Sequence, residues 1–270
     1  MSERSTVAVI GVGAMGEALV SGLLGAGWRS GDVALCVRRL DRRDELAHKT
    51  GCTVGLDPVE TIAGRDAIVV AVKPRDVADV LKTIAGAVQE SQIVISLAAG
   101  VTTQTYETQL GPIPVVRAMP NTPALVREGV TGIAPGSHAG SDHLSVAQEI
   151  LGAVGSVRVM EETLLDAVTA VSGTGPAYVF LLAEALTEAA MREGLPRDVA
   201  EGFVHQTIRG AGHLLTDTDK SPAELRYEVT SPGGTTAAAM HVLEEKGFRA
   251  VVEDAVRAAA IRARELGGGA

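Results

Sequence analysis

The 270-residue sequence is poor in cysteine, in aromatic residues and in positive charge. Cys36 and Cys52 are too few for a disulfide framework and lack metal-ligand spacing, so we interpret both as ordinary buried thiols. Aromatic residues make up 3% of the chain against 46% hydrophobic residues overall, which predicts an ample but aliphatic core. The net charge of -9 argues against a nucleic-acid or anionic-membrane partner, since both require a basic surface.

Long hydrophobic runs and clustered metal ligands are also missing. Residues 1–5 lead into a strand-like segment without an apolar leader, and no apolar run approaches the roughly 18 residues of a membrane span. The six histidines form neither a ligand cluster nor a His-Glu-x-x-His pattern, so we expect no metal site. These absences predict a soluble, cytoplasmic protein with no membrane partner.

The order of strand-like and helix-like segments predicts an α/β protein with two domains. Up to about residue 160, short β-branched runs alternate with helical stretches, as is typical of a parallel sheet. Predicted strands cover 6–10, 33–37, 67–72, 92–97, 114–117, 130–134 and 156–159, and predicted helices 14–26, 41–49, 76–88 and 141–153. We therefore predict a Rossmann-type dinucleotide-binding domain over residues 1–160 and an all-helical domain over residues 161–270.

The predicted helical domain has an unusual surface. Its predicted helices cover 163–171, 176–193, 196–215, 222–229, 235–246 and 248–266. Residues 178–191 are apolar nearly all round apart from Glu184 and Glu188, so one face needs cover from outside its own subunit. This pattern favours a dimerisation domain, and a single well-packed helical bundle is the alternative.

A glycine-rich motif predicts where a dinucleotide binds. The sequence Gly11-Val12-Gly13-Ala14-Met15-Gly16 follows an apolar strand and opens a helix. In this motif the first glycine permits a tight turn, the second lets the pyrophosphate approach the backbone, and the third permits close packing of helix on strand.

The residues after the second predicted strand indicate which dinucleotide is used. A site for NAD usually has Asp or Glu there, to bind the ribose 2'-hydroxyl. This chain has Arg38 and Arg39 instead, and guanidinium groups bind a 2'-phosphate in bidentate fashion, which favours NADPH. Arg42 and Arg43 fit a solvated helix start better. Asp41 is able to bind a ribose hydroxyl, so use of NADH stays open.

Two further strand ends complete the predicted cofactor site. The segments Ala71-Val72-Lys73-Pro74 and Ala98-Ala99 lie where open α/β sheets bind their ligands. Small residues there let a flat nicotinamide ring lie against the backbone. The sequence leaves open whether Lys73 is catalytic or contacts a ribose or phosphate.

A rigid turn, Ser231-Pro232-Gly233-Gly234-Thr235-Thr236, interrupts the helical half. The glycines permit positive φ, and Thr235 or Thr236 is expected to cap the following helix. Free N–H groups at such a helix start suit a carboxylate or phosphate without a cationic side chain. A helix cap in a surface loop is the alternative interpretation.

Together these motifs resemble the delta-1-pyrroline-5-carboxylate reductase family over essentially the whole chain. The segments that carry the resemblance are residues 11–16, 71–74, 117–123, 166–169, 172–178 and 229–236. The resemblance implies an NAD(P)H-dependent reductase of a cyclic imine, with a Rossmann domain and an interleaved helical domain that forms a homodimer. Some members assemble five such dimers into a decamer.

The resemblance also implies roles for individual residues. Gly233, Gly234, Thr235 and Thr236 would hold the carboxylate and ring nitrogen of the substrate, with the Thr236 hydroxyl near that nitrogen as the candidate catalytic group. Glu162 would lie close to the substrate, and whether it or Lys73 has a direct catalytic role stays open.

Two other functions compete with this interpretation. A beta-hydroxyacid dehydrogenase shares the glycine motif, but it requires Lys and Asn together in the second domain. Here the helical half holds only Lys220 and Lys246, and Asn121, the single asparagine, precedes it. A non-catalytic NADPH-sensing module would not need the anion-binding turn at residues 231–236.

Overall fold

The computed structural model describes residues 4–267, and its strands form one mostly parallel sheet. The strands are β1 (Val7–Ile10), β2 (Val33–Cys36), β3 (Thr53–Gly55), β4 (Ala67–Val70), β5 (Ile93–Ser96), β6 (Val115–Met119), β7 (Gly129–Pro135) and β8 (Gly155–Val159). Their order is β3-β2-β1-β4-β5-β6-β7-β8, with only the β6–β7 pair antiparallel among the described residues. The first six strands have the order of a dinucleotide-binding fold, which confirms the predicted fold class.

Helices cover both faces of this sheet. They are α1 (Ala14–Gly25), α2 (Leu40–Thr50), α3 (Pro58–Ile62), α4 (Val77–Ile84), α5 (Thr103–Leu110), α6 (Ser141–Gly152) and α7 (Leu165–Val168). Along β1, Val7 and Val9 belong to one core cluster, and Ala8 and Ile10 belong to the other. This alternation follows from the two-residue period of a strand, and burial on both faces explains why the inner strands are continuously apolar.

The remaining helices are α8 (Gly175–Arg192), α9 (Arg197–Asp217), α10 (Pro222–Glu228), α11 (Thr235–Glu245) and α12 (Phe248–Leu266). The chain divides into two compact units. One extends to Thr174 and includes the residues from Ala259 onward, and the other is Gly175–Ala258. The sequence prediction placed the boundary at residue 160. Residues after 160 join the first unit because Leu165 is fully buried there and Asp166 contacts Arg117 on β6.

The helical unit has little core of its own. Among the apolar side chains of residues 175–258, only Ala200 and Val204 are buried, whereas Phe180 and Leu181 on α8 are 61% and 66% exposed. Residues 162–192 are long and apolar enough to cross a membrane by length and composition, and 11% of their most apolar window is buried. An apolar helix that a partner subunit covers has the same length and composition.

Candidate functional site

A cleft of about 930 Å³ lies at the carboxyl ends of β1, β2 and β4. This is the edge at which parallel sheets bind ligands, because the strand order reverses there. The predicted cofactor residues that line it are Gly11, Val12, Gly13, Arg38, Arg39, Ala71, Val72 and Lys73. The structure thus brings most of the predicted cofactor residues together in one place.

Glycine is needed at the first two glycine positions of the motif for different structural reasons. Gly11 has φ +89°, and a Cβ added there would lie 2.5 Å from Val72 Cγ1, so only glycine fits. A Cβ added at Gly13 meets nothing within 4 Å. The backbone at Gly13 therefore faces open space, as the approach of a pyrophosphate requires.

Helix α1 begins beside Gly13 with free amide donors. Gly13 is the N-cap residue and provides no side-chain hydrogen bond, and the first intrahelical bond runs from Glu17 N to Gly13 O at 2.8 Å. The start of α1 consequently suits an anion. Ala14 is exposed at this helix start, Met15 packs against the core, and the third glycine, Gly16, is buried against Gly11.

Three arginines line the cleft beyond β2. Arg38 donates from Nη2 to Asp76 Oδ2 at 3.2 Å, and Arg39 binds Asp41. Arg42, which the sequence analysis set aside as a solvated residue, also lines the cleft and is bound by Glu17 and Glu45. Both carboxylates hold the Arg42 guanidinium in place.

Two carboxyl groups that bind these arginines have lowered pKa values. The hydrogen bond from Lys49, assisted by Arg42, holds the pKa of Glu17 below its ordinary value of 4.5. The hydrogen bond from Arg39 likewise lowers the pKa of Asp41. Both acids stay ionised at neutral pH and fix the guanidinium groups that they bind.

Of the two other predicted strand ends, the one after β4 lies at the cleft and the one after β5 does not. Ala71 N donates to Ile10 O at 2.8 Å, which closes the end of β4 against β1 at the cleft, and Lys73 and Pro74 beyond it are exposed. Ala98 and Ala99 do not line this cleft. The Ala98 side chain is buried in the core, and its amide donates to Ser96 Oγ at 3.3 Å.

The predicted substrate turn precedes α11 in the helical unit. Gly233 has φ +71°, and Gly234 is the N-cap residue with no side-chain hydrogen bond. The expectation that Thr235 or Thr236 caps the helix is wrong, because α11 begins at Thr235 itself. The amides of Thr235, Thr236 and Ala237 precede the first intrahelical bond, from Ala238 N to Gly234 O at 3.2 Å, which leaves them pointing out of the helix start.

Glu162, which was expected to lie close to the substrate, is held by hydrogen bonds within the sheet-containing unit. Its Oε1 accepts from Thr103 N at 2.8 Å and from Arg117 Nη1 at 3.3 Å, and its Oε2 accepts from Thr103 Oγ1 at 2.7 Å. Both carboxylate oxygens thus have protein partners in the sheet-containing unit.

Comparisons with known proteins agree over nearly the whole chain. A family model described as pyrroline-5-carboxylate reductase dimerisation matches residues 162–266, and one described as coenzyme F420-dependent NADP oxidoreductase matches residues 6–100. The pyrroline-5-carboxylate reductase of Corynebacterium melassecola is 39% identical, covering 97% of this chain and 99% of the relative. The chain belongs to the pyrroline-5-carboxylate reductase family.

Solved structures of the pyrroline-5-carboxylate reductase family have the same fold. The enzyme from Coxiella burnetii is 39% identical with a TM-score of 0.94, covering 98% of this chain and 99% of the other. The enzyme from Plasmodium falciparum, solved with NADP bound, is 30% identical with a TM-score of 0.87 and covers 98% and 99%. The predicted membership of the pyrroline-5-carboxylate reductase family is therefore confirmed.

The residues in the cleft fit the NADP that the Plasmodium family member binds. The open backbone at Gly13 and the start of α1 suit a pyrophosphate, and the guanidinium groups of Arg38 and Arg39 suit a 2'-phosphate. No group of three or more His, Cys, Asp or Glu side chains able to hold a metal is present among residues 4–267.

Three buried polar residues of the sheet-containing unit were not predicted from the sequence. Arg117 and Thr103 are buried partners of Glu162, and Tyr106 is fully buried with its hydroxyl 2.7 Å from Ser96 Oγ. Burial raises the pKa of Tyr106 to about 12, so it remains a neutral hydrogen-bonding group. Arg117 lies in a segment that carried the resemblance, and an arginine within an apolar strand was the available signal.

Proposed function

We propose that this chain reduces the C=N bond of 1-pyrroline-5-carboxylate to give L-proline, with NADPH as the reductant. Membership of the pyrroline-5-carboxylate reductase family supports the reaction. The observation that carries the choice of cofactor is the cluster of guanidinium groups after β2, where an NAD site would place an acid. NADH is a slower alternative, and we place the reaction in the cytoplasm.

Binding of the cofactor is the task of the cleft. The start of α1 and the backbone at Gly13 hold the pyrophosphate, while Arg38 and Arg39 hold the 2'-phosphate. Ala71 and Val72 line the cleft at the end of β4, and we assign them the contact with the nicotinamide ring. When bound, NADPH supplies a hydride to the imine carbon.

Recognition of the substrate is the task of the turn before α11. The amides of Thr235 and Thr236 bind the carboxylate, with Gly233 and Gly234 keeping the approach free of side chains. The Thr236 hydroxyl donates to the lone pair of the neutral imine nitrogen and orients the ring. Once that nitrogen is protonated, the iminium N–H donates to Thr236 Oγ. Because a protonated imine is already electrophilic, the nitrogen needs only its proton and correct alignment, and no metal or strong acid is required.

Proton and electron balance is then simple. The imine carbon gains the hydride as its π bond to nitrogen is lost, and the nitrogen retains the proton that made it an iminium. The product is a saturated secondary amine with its carboxylate unchanged, which is proline. Lys73 is exposed at the cleft edge, and we assign it a contact with ribose or phosphate and no proton-transfer step.

We also propose that α8 and its neighbours form a homodimer interface. The support is the exposed apolar surface of the helical unit and the match of residues 162–266 to a dimerisation family. A decamer of five dimers is a further possibility for the assembled enzyme. Sedimentation of the purified protein distinguishes monomer, dimer and decamer by mass.

The experiment that tests the reaction mixes purified protein, NADPH and 1-pyrroline-5-carboxylate. We expect loss of NADPH absorbance and formation of proline in equal amounts. Binding of NADPH without proline formation would favour the sensing module instead.

A further inference from the structure

An ion-pair network with a buried arginine lies at the middle of β6. Arg117 is 4% exposed, and its two terminal nitrogens lie 3.3 Å from Glu162 Oε1 and 3.4 Å from Asp166 Oδ1. Removing one partner of a buried ion pair leaves an uncompensated charge, which is strongly unfavourable. Arg117 therefore holds the segment that contains Glu162 and Asp166 against the sheet.

Glu162 connects this network to α5. Thr103 is the first residue of α5, and both its amide and its hydroxyl donate to the Glu162 carboxylate, at 2.8 Å and 2.7 Å. A carboxylate is favourable at a helix start because the amides there carry partial positive charge. One carboxylate thus ties α5 to β6.

These contacts help to fix the loop at residues 97–102, which joins β5 to α5. Its beginning is fixed by Ser96 Oγ, which binds the Tyr106 hydroxyl at 2.7 Å and accepts from Ala98 N at 3.3 Å. Its end is fixed by the contact between Thr103 and Glu162. In between, Gly100 has φ +76° and packs so closely that an added Cβ would lie 3.1 Å from Gly267 N.

The same network orders the chain that follows α7. Residues Thr169–Gly173 form a π-helical turn in which Thr174 N donates to Thr169 O at 2.8 Å. Such turns occur frequently at functional sites. An added Cβ at Gly173 would lie 2.7 Å from Met119 Cε, so this turn packs on the same strand that carries Arg117.

We propose that Arg117 and Glu162 are positioning residues for hydride transfer, acting through the loop at residues 97–102 and the turn Thr169–Gly173. Both segments belong to the β4-β5-β6 half of the sheet, where a dinucleotide-binding fold holds the nicotinamide half of its ligand. This role replaces the substrate contact expected for Glu162, and it rests on the proposed reductase function.

Glu162→Ala and Glu162→Gln test the role kinetically. Glu162→Ala releases Thr103 and leaves Arg117 paired with Asp166 alone. We expect kcat to fall about tenfold to a hundredfold, because small misplacements slow hydride transfer strongly. KM for the imine should change less than about threefold, since no substrate contact is lost. Glutamine can still bind Thr103, so Glu162→Gln should recover part of kcat. Glu161→Gln, an exposed neighbour, is the matched control and should behave as wild type.

Thr103→Val provides a milder change that removes one hydroxyl. Its effect on kcat should not add to that of Glu162→Ala, because both act through the same contact. A large rise in KM for the imine with kcat retained would show instead that Glu162 is a substrate ligand. Unchanged kcat in Glu162→Ala would also overturn the proposal.

Hydrogen exchange without cofactor gives a readout that does not depend on activity. In Glu162→Ala, amides of residues 97–103 and 169–174 should exchange faster than in wild type, with β1 and β2 unaffected. Unchanged exchange in those segments would overturn the positioning role even if the reaction were confirmed. Failure of the wild-type protein to form proline would overturn the proposed reaction and leave the exchange result interpretable.

Discussion

Arg38 and Asp76 form an ion pair across the cleft, with Arg38 Nη2 3.2 Å from Asp76 Oδ2. The Arg38 side chain is 82% exposed, and the Asp76 side chain is 22% exposed. An ion pair this exposed stabilises the protein by only about 0–1 kcal/mol. A phosphate can therefore take the guanidinium from Asp76 at small cost, which makes Arg38 available to a 2'-phosphate.

Arg38→Ala should weaken NADPH binding about tenfold or more and leave NADH binding within about twofold of wild type, because only NADPH carries the 2'-phosphate. Titration of both cofactors by calorimetry measures this. Arg43→Ala is the control, since Arg43 pairs with Asp44 and does not line the cleft. Equal losses for the two cofactors would reject the phosphate role.

Gly11→Ala should destabilise the fold, whereas Gly13→Ala should weaken NADPH binding. Alanine at Gly11 requires positive φ and a contact of 2.5 Å with Val72 Cγ1, so the free energy of unfolding should fall by about 1–3 kcal/mol. Alanine at Gly13 meets no protein atom, so Tm should hold while NADPH binding weakens. Thermal unfolding with and without NADPH separates the two effects. Wild-type NADPH affinity in Gly13→Ala would contradict the pyrophosphate assignment.

Thr236→Ala should lower kcat about a hundredfold, the lower end of the range for loss of a group that supports protonation of the reacting atom. NADPH affinity should be unchanged. Thr235→Ala is the matched variant, because it keeps the backbone amide proposed to bind the carboxylate and should lose much less activity. Steady-state kinetics and NADPH titration check both. Collapse of cofactor binding in Thr236→Ala would show that the turn is wrongly assigned.

Acidification should remove the stabilisation that Glu17 provides. Its pKa in the folded protein is lowered, chiefly by the hydrogen bond from Lys49, so the stabilisation is present above the ordinary value of 4.5 and is lost as pH falls through the folded value. In Glu17→Gln the free energy of unfolding should consequently depend less on pH below 4.5. Urea unfolding at a series of pH values measures the slope, and identical slopes for the two proteins would contradict this account.

Phe180→Asp should convert dimers to monomers, because it places a charge in the exposed apolar face of α8. Analytical ultracentrifugation of the variant measures the mass. Leu125→Asp is the control, since Leu125 is 60% exposed but lies in the sheet-containing unit. A dimer that survives Phe180→Asp would place the interface elsewhere.

The parts of the fold that sequence alone predicted are those with strong local signals. The buried strands β1, β2, β4 and β5 are continuously apolar, and the glycine motif marks the start of α1. The elements missed were β3, α3 and α5. Strand β3 has three residues and α3 has five, so neither offers a full period of hydrophobic pattern. Helix α5 is rich in β-branched threonine, which has low intrinsic helix propensity.

The candidate site likewise has features that the sequence predicted and features that it did not. Backbone-dependent features follow from residue type, and the sequence predicted a tight turn at Gly11 and permitted the positive φ found at Gly233. The partners of Glu162 were not predictable, because Thr103 and Arg117 meet it only through the arrangement of α5 and β6 in space. The contact between Arg42 and Glu17 was not predictable either, because the two residues lie 25 positions apart in sequence.

The most direct test of the central claim is the product formed by the wild-type protein from NADPH and 1-pyrroline-5-carboxylate. The account predicts one proline for each NADPH oxidised, with a higher kcat/KM for NADPH than for NADH. The account would be contradicted if no NADPH were oxidised in the presence of the imine, or if NADPH were oxidised without formation of proline.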